Sequence, residues 1–386
     1  MTEIELVALR YPNRRLAERL MQLWDEGAAV LPISPELPEP QVKSLLSHFR
    51  SSRIEDASGQ TRLADGVPVA SGIALVIPTS GSSGRPKGVE LSHEALRWSA
   101  EAVNRQLGTG SDDRWLACLP LTHIAGIGIL VRSAVAESVP VIHDGFDVDA
   151  VAGEMEASLI SLVPTTLQRL MDAGADLSGY KAVLVGGGPV PMPLIHRAHE
   201  LGINAIRTYG MTETAGGCIY DGFPFEGVEV KIEEEQILLK GPMTMDRYRM
   251  QPGLTAQALR DGWFRTSDRG SIDGSGRLEV FGRIDDVIIT GGEKVSALEV
   301  EELLKQHDMV ADAAVVGLED TRWGQIVAAV IVPSSREIPS AGELRTFLGL
   351  SIPNYALPKR IEVVEALPRT PTGKIQREEV RRLLMT

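Results

Sequence analysis

Cysteine is scarce. The 386-residue chain carries two, Cys118 and Cys218, too few for a disulfide framework or a cysteine-based zinc site. Basic charge is also short: 39 Lys and Arg stand against 52 Asp and Glu, a formal net of −13. Phosphate-rich partners want a basic footprint, so neither nucleic acid nor an anionic membrane surface is expected as a partner. No long apolar run is unbroken. The longest, over residues 124–142, is interrupted by Arg132, Glu137 and Pro140 and does not read as a membrane span. The first 24 residues include Glu3, Glu5, Arg10, Arg14, Arg15 and Glu18, so they lack an apolar signal core. A soluble cytoplasmic protein is the expectation, without membrane insertion, and a homo-oligomer stays open.

What is present is an ordinary globular composition, 43% hydrophobic and 24% charged. The length suits two domains. Early signals are weak: a helix over 11–26, then a proline-rich turn-and-strand stretch over 30–40. From residue 73 the pattern sharpens. An apolar run over 73–78 predicts a buried strand, and Ser92 with Glu94 predicts a capped helix reaching about residue 107. Strand–turn–helix units follow, with strands over 159–163 and 181–185 and helices over 165–173 and 192–201. That alternation predicts an α/β protein with mostly parallel sheets. After residue 226 shorter strands (228–232, 236–240, 278–281) mark a β-rich subdomain. Past residues 283–286 the texture changes again. Helices over 297–307, 343–348 and 376–384 mix with strands over 311–317, 325–333 and 361–365. The division expected is a large N-terminal domain over 1–284 and a small α+β domain over 285–386.

The strongest local feature is the segment TSGSSGRPKG over 79–88. Gly81, Gly84 and Gly88 permit tight turns whose amides can converge on a phosphate. Thr79, Ser80, Ser82 and Ser83 add hydroxyls, Lys87 adds a cation, and the following helix is expected to lend its N-terminal dipole. It is not a Walker loop: Pro86 and Gly88 stand where that motif needs Gly and Ser or Thr.

This segment resembles the phosphate loop of the adenylate-forming acyl- and aryl-CoA synthetases. In that family's order follow PLTHIAG (120–126), GGGP (186–189), YGMTET (209–214), TSDRG (266–270), GRIDD (282–286) with Gly291 and Gly292, and PTGK (371–374). Within the family the likeness is nearest the branch acting on o-succinylbenzoate in menaquinone biosynthesis, through residues 208–222, 129–132 and the compact length.

The resemblance implies a two-step reaction using ATP, Mg²⁺ and coenzyme A. A small carboxylic acid attacks the α-phosphorus of ATP and pyrophosphate leaves; the CoA thiol then displaces AMP. It implies Glu213 on the metal, Thr212 on the α-phosphate, and Thr79, Ser80, Gly81, Ser82, Ser83, Gly84 and Lys87 around the phosphates. Gly186, Gly187 and Gly188, with Tyr209 and Gly210, would line the adenine. Asp268 would accept ribose hydroxyls beside Arg283, although a turn-forming aspartate would look the same. Lys374 would neutralise charge in the adenylation step, and Asp285 would be the hinge of a mobile small domain. His123 falls beside the carboxylate pocket as a wall or gate, because a carboxylate nucleophile needs no base. Gly216 and Gly217 would leave room for an aromatic ring. Arg132 is a cation in an apolar run; it meets either the second carboxylate of the substrate or an internal acid such as Glu137 or Asp144.

Some positions depart from the family pattern: Ser82 and Ser83 for two threonines, Pro78, and Lys294 and Ala297 after the glycine pair. Only 78 residues precede Thr79. Ligation of another aryl or short-chain acid, loading of a carrier protein, and a non-catalytic nucleotide-binding role remain alternatives.

Overall fold

Short apolar runs become the interior strands of two sheets. The computed structural model describes residues 3–79, 86–370 and 375–385. It divides into two compact units: Met1–Lys231 with Leu238–Arg265, and Ile232–Ile237 with Thr266–Thr386. Residues 266–284 therefore pack with the C-terminal residues.

One sheet of the larger unit runs in the order Arg247–Tyr248, Lys87–Ser92, Ile73–Thr79, Ala29–Pro32, Leu6–Arg10, Arg53–Asp56, Gly59–Arg62. Its middle strands are parallel and its outer ones antiparallel. Leu6, Val7, Ala8 and Leu9 are all fully buried, as strands covered on both faces require. The first 70 residues are thus more ordered than their patterning suggests. Three of their strands are only four or five residues long, and the helix Glu39–Phe49 begins after Pro38 within the proline-rich stretch.

The second sheet orders Val141–Ile142, Trp115–Ala117, Leu159–Leu162, Ala182–Val185, Ala205–Met211, Gly216–Tyr220 and Phe223–Pro224. The first five are parallel and the last two antiparallel. Helices Pro164–Asp172 and Met192–Glu200 cover it through Leu167, Leu170, Leu194 and Ile195.

The helix expected after Ser92 is present as His93–Leu107. The Ser92 hydroxyl accepts from Ala95 N at 3.2 Å, and Gly108 closes the helix at φ 60°. Such a cap contributes about 1 kcal/mol. Its expected dipole on the phosphate loop is corrected. A strand, Lys87–Ser92, intervenes and pairs antiparallel with Ile73–Thr79, so that Thr79 faces Lys87. The helix starts roughly 17 Å of strand beyond Lys87.

In the smaller unit a five-stranded sheet is built on the long hairpin Val310–Asp320 and Gly324–Pro333. Alternation decides its faces. Ala313, Val315, Val327 and Ala329 pack against helices Ala297–Lys305 and Ala341–Leu348. Ala314, Val316, Ala328 and Val330 pack against Val380 and Leu384 of the last helix, Arg377–Met385.

Candidate active site

The parallel strands of the second sheet present their carboxyl ends together, where open α/β sheets bind ligands. Gly186, Gly187 and Gly188 follow one such strand, and Thr208 to Thr214 complete its neighbour. A Cβ on Gly186 would stand 2.1 Å from Thr208 Oγ1, and Gly187 has φ +80°, so only glycine fits this approach. Tyr209 and Gly210 lie on the edge paired with Gly216–Tyr220, where the register shifts. A Cβ on Gly210 would meet Gly216 O at 2.1 Å.

Thr212, Glu213 and Thr214 form a single 3-10 turn. The Thr214 hydroxyl accepts from Met211 N at 2.9 Å and donates toward Gly216 O at 2.8 Å, fixing the turn from inside. Glu213 is held at both ends. Its carbonyl accepts from Met245 N at 2.8 Å, and its Oε1 accepts from the Tyr248 hydroxyl at 2.9 Å. The Lys87 ammonium lies 5.2 Å from the centroid of the same Tyr248 ring, within cation–π range. Lys87, Tyr248 and Glu213 are thereby brought together from three separate strands and turns. Thr79 stays opposite Lys87, its hydroxyl 3.5 Å from Lys87 O. Ser80, Gly81, Ser82, Ser83 and Gly84 lie outside the described residues.

Arg132 sits on helix Ile124–Val135, with His123 at the N-cap. It is buried and lines a pocket with Gly128, Gly216, Gly217, Ser99 and Tyr220. Its Nε donates to Gly128 O at 3.0 Å, its guanidinium lies 4.4 Å from the Trp115 ring centroid, and its Nη1 finds no hydrogen-bond partner among the described residues. Neither Glu137 nor Asp144 pairs with it. Asp144 instead accepts from Arg14 N at 3.0 Å. Burial lowers the guanidinium pKa, offset in part by the Tyr220 phenol. Ile124, next to His123, borders Gly216: its Cγ1 would lie 3.9 Å from a Cβ there.

In the smaller unit Asp268 and Arg283 face each other across a hairpin, with Arg283 Nη1 3.8 Å from Asp268 Oδ1 and Nη2 3.0 Å from Asp285 Oδ2. Burial alone would lower the Arg283 pKa; the Asp268 and Asp285 carboxylates raise it above the usual value. Asp285 lies on the 3-10 turn Ile284–Asp286, and Asp286 is tied to Arg377 at 2.9 Å. Lys374 lies outside the described residues. The chain on either side is joined by a bridge between Arg369 and Ile375, and by Gln376 N donating to Pro368 O at 2.9 Å. Gly291 and Gly292 have φ +61° and +89°, and a Cβ on Gly291 would stand 2.7 Å from the Trp323 ring. The Lys359 ammonium lies 3.9 Å from that ring's centroid.

Tyr248, Trp115, Tyr220 and Trp323 escaped the sequence reading. A tryptophan in the polar turn 320–324 was a usable signal; a phenol contacting a turn 35 residues away was not. Both cysteines are buried and free, and burial pushes each thiol up to about 12. That removes them as nucleophiles.

A hard divalent cation fits Glu213. Its carboxylate offers oxygen, and no cluster of three metal-ligating side chains exists among the described residues. A magnesium ion here would draw its other ligands from phosphates and water.

The family model described as AMP-binding enzyme matches residues 52–248, just over half of the chain. The chain belongs to the AMP-binding enzyme family. The model of the family's C-terminal domain matches residues 299–374, ending on Lys374. A probable 2-succinylbenzoate–CoA ligase of Mycobacterium tuberculosis is 39% identical over 79% of this chain and 83% of its own length. A feruloyl-CoA synthase of Amycolatopsis sp. is 34% identical over 93% of this chain and 80% of its own. Among solved structures, o-succinylbenzoate CoA synthetase (MenE) of Bacillus subtilis, in complex with the acyl-adenylate intermediate OSB-AMP, matches with a TM-score of 0.88. It is 28% identical, over 98% of this chain and 88% of that one. The expected fold class, α/β with a smaller C-terminal α+β part, agrees with that match.

Proposed function

We propose that this AMP-binding enzyme is an ATP-dependent acid–CoA ligase whose acid is o-succinylbenzoate. The observation that carries the substrate is Arg132, a buried guanidinium without a carboxylate partner among the described residues, opening on a pocket walled by Gly216 and Gly217. A buried cation without a counter-ion is costly, and a substrate carboxylate meets it without remodelling the protein. The acid has two carboxylates. Arg132 takes the aromatic one, leaving the succinyl one to react, while the two glycines leave space for the ring and His123 forms a wall.

Each remaining role follows from side-chain chemistry. Glu213 presents oxygen to a magnesium ion, which when bound offsets charge on the ATP phosphates. Lys87 and Thr79, with Ser80 to Gly84, hold the β- and γ-phosphates, and the Thr212 hydroxyl donates to the α-phosphate. Gly186 to Gly188 with Tyr209 and Gly210 receive the adenine edge, and Asp268 accepts from the ribose hydroxyls beside Arg283. Lys374 neutralises the charge that builds as the carboxylate oxygen bonds to the α-phosphorus and the bond to pyrophosphate breaks. Rotation about Asp285 then replaces the lysine by the thiol of CoA, which displaces AMP from the acyl carbon. Residues 285–386 are the moving part in this reading. No helix among the described residues is long and apolar enough to cross a membrane, and the reaction belongs with soluble nucleotides in the cytoplasm.

A second reading has an observation behind it: the feruloyl-CoA synthase relative supports an aryl acid with one carboxylate. Pyrophosphate release with ATP and Mg²⁺ separates the two. Release is expected with o-succinylbenzoate and not with ferulate, benzoate or succinate, and a CoA thioester forms when CoA is added. Lys374→Ala should abolish release yet still convert supplied acyl-adenylate to thioester. Release with ferulate alone would overturn the substrate, and no release with any acid would overturn the ligase.

A further inference from the structure

Tyr248 is almost wholly buried, yet nothing about filling space calls for its hydroxyl. That hydroxyl donates to Glu213 Oε1 at 2.9 Å, and the ring's face lies 5.2 Å from the Lys87 ammonium. We infer that Tyr248 is a positioning residue for the metal–phosphate end of ATP, fixing Glu213 through its hydroxyl and Lys87 through its ring; this rests on the ATP-dependent reading above.

Its own placement is over-determined. Strand Arg247–Tyr248 pairs antiparallel with the strand leaving the phosphate loop, Tyr248 opposite Val89 and Arg247 opposite Glu90. The next residue's amide, Arg249 N, donates to Gly88 O at 2.7 Å. The Arg249 guanidinium is buried, donating to Phe49 O at 2.7 Å, to Val67 O, and to Glu90 Oε1 at 3.2 Å. Tyr248 N donates to Thr255 Oγ1 at 3.0 Å. A backbone pinned at these points leaves the side chain little freedom, so the phenol sets the orientation of the carboxylate and not the reverse. One carboxylate oxygen is engaged by the phenol. The other, Oε2, is left for the cation, and its direction is fixed by the first contact. Orientation of a ligating carboxylate by a neighbouring hydrogen bond changes metal affinity by about 10–100-fold. Lys87, held over the ring, forms no ion pair among the described residues that would silence it.

The test is ATP binding by isothermal titration calorimetry on the full chain, with and without Mg²⁺. Tyr248→Phe keeps the ring, and with it the packing and the contact to Lys87. The variant should bind ATP as wild type does without Mg²⁺ and lose about tenfold of the gain that Mg²⁺ brings. Combined with Glu213→Gln, it should add nothing to the loss caused by Glu213→Gln alone, because one residue acts through the other. A purely structural tyrosine would lower the melting temperature and leave the Mg²⁺ gain intact. That result overturns the inference, as would additive losses in the double variant or a wild type indifferent to Mg²⁺. Failure of the ligase reading shows separately, as absence of acid-dependent pyrophosphate release from wild type.

Discussion

The Arg132 guanidinium lies over the Trp115 ring, 4.4 Å from its centroid, and returns one hydrogen bond to its own helix at Gly128 O. A desolvated cation–π contact contributes about 2 kcal/mol, less than the several kcal/mol that burying an unpaired charge costs. Arg132 therefore weakens the free protein. Arg132→Met should raise stability by roughly 1–3 kcal/mol, seen as a higher melting temperature. The same variant should raise KM for o-succinylbenzoate by about tenfold or more, as loss of a charge-assisted contact implies. Its preference for a dicarboxylate over a monocarboxylate should collapse. A stabilised variant with unchanged preference would return Arg132 to a packing role.

That arginine also marks how far the sequence could be read. A charge inside an apolar helical run is anomalous in one dimension, so its importance was visible; its partner was not. Whether Glu137, Asp144 or no acid met it depended on how the helix rotated against Trp115, and rotation is a packing outcome. The sheet strands over 73–79, 159–162 and 182–185 were legible because continuous apolar runs bounded by glycine or proline have few other uses. Of the early strands, Ala29–Pro32 fell at the start of the turn-and-strand stretch, while Leu6–Arg10 and Arg53–Asp56 were hidden by brevity. The exit from residues 79–88 was misjudged, because polar Lys87 and Glu90 disguise a strand that buries Val89 and Leu91. Tyr248 carries no local signal. Its role exists only when two antiparallel strands and a turn from elsewhere converge.

Gly210 has no alternative in this convergence. A methyl group there would stand 2.1 Å from Gly216 O and 2.7 Å from Gly217 Cα, both backbone atoms. Backbone cannot rotate aside, so Gly210→Ala must part the strand pair that carries the Glu213 turn. Urea denaturation should report a loss of roughly 2–4 kcal/mol, with acid-dependent pyrophosphate release falling even where the variant is folded. Gly110→Ala, which meets nothing within 4 Å, serves as control and should change stability by at most about 0.5 kcal/mol.

Both thiols should be silent in the native protein. Cys118 and Cys218 are buried, and burial pushes each up to about 12, so at pH 8 only about one ten-thousandth of either is thiolate. An aromatic disulfide reagent should label neither residue over minutes and both at once in denaturant. Rapid native labelling of one would reveal local opening of the strand that bears it, Gly216–Tyr220 for Cys218.

Glu301 gives the smaller unit a pH dependence of determinable sign. It is buried, with Arg377 Nη1 2.6 Å from its Oε1 and Val315 N donating to the same oxygen at 2.8 Å. Burial raises its pKa, and the attraction of Arg377 offsets this only in part, leaving it above the ordinary value of 4.5. The native state then holds a proton that the unfolded chain releases. The resulting stabilisation is complete below the ordinary glutamate value and disappears as pH rises through the native pKa. Glu301→Gln keeps the shape and has no such proton. Urea midpoints measured from about pH 4 to about pH 8 should show wild type losing ground to the variant as pH rises. Wild type gaining on the variant over that range would mean that the ion pair with Arg377 outweighs burial. Arg377 would then anchor the Ile284–Asp286 turn through a charged, not a protonated, Glu301.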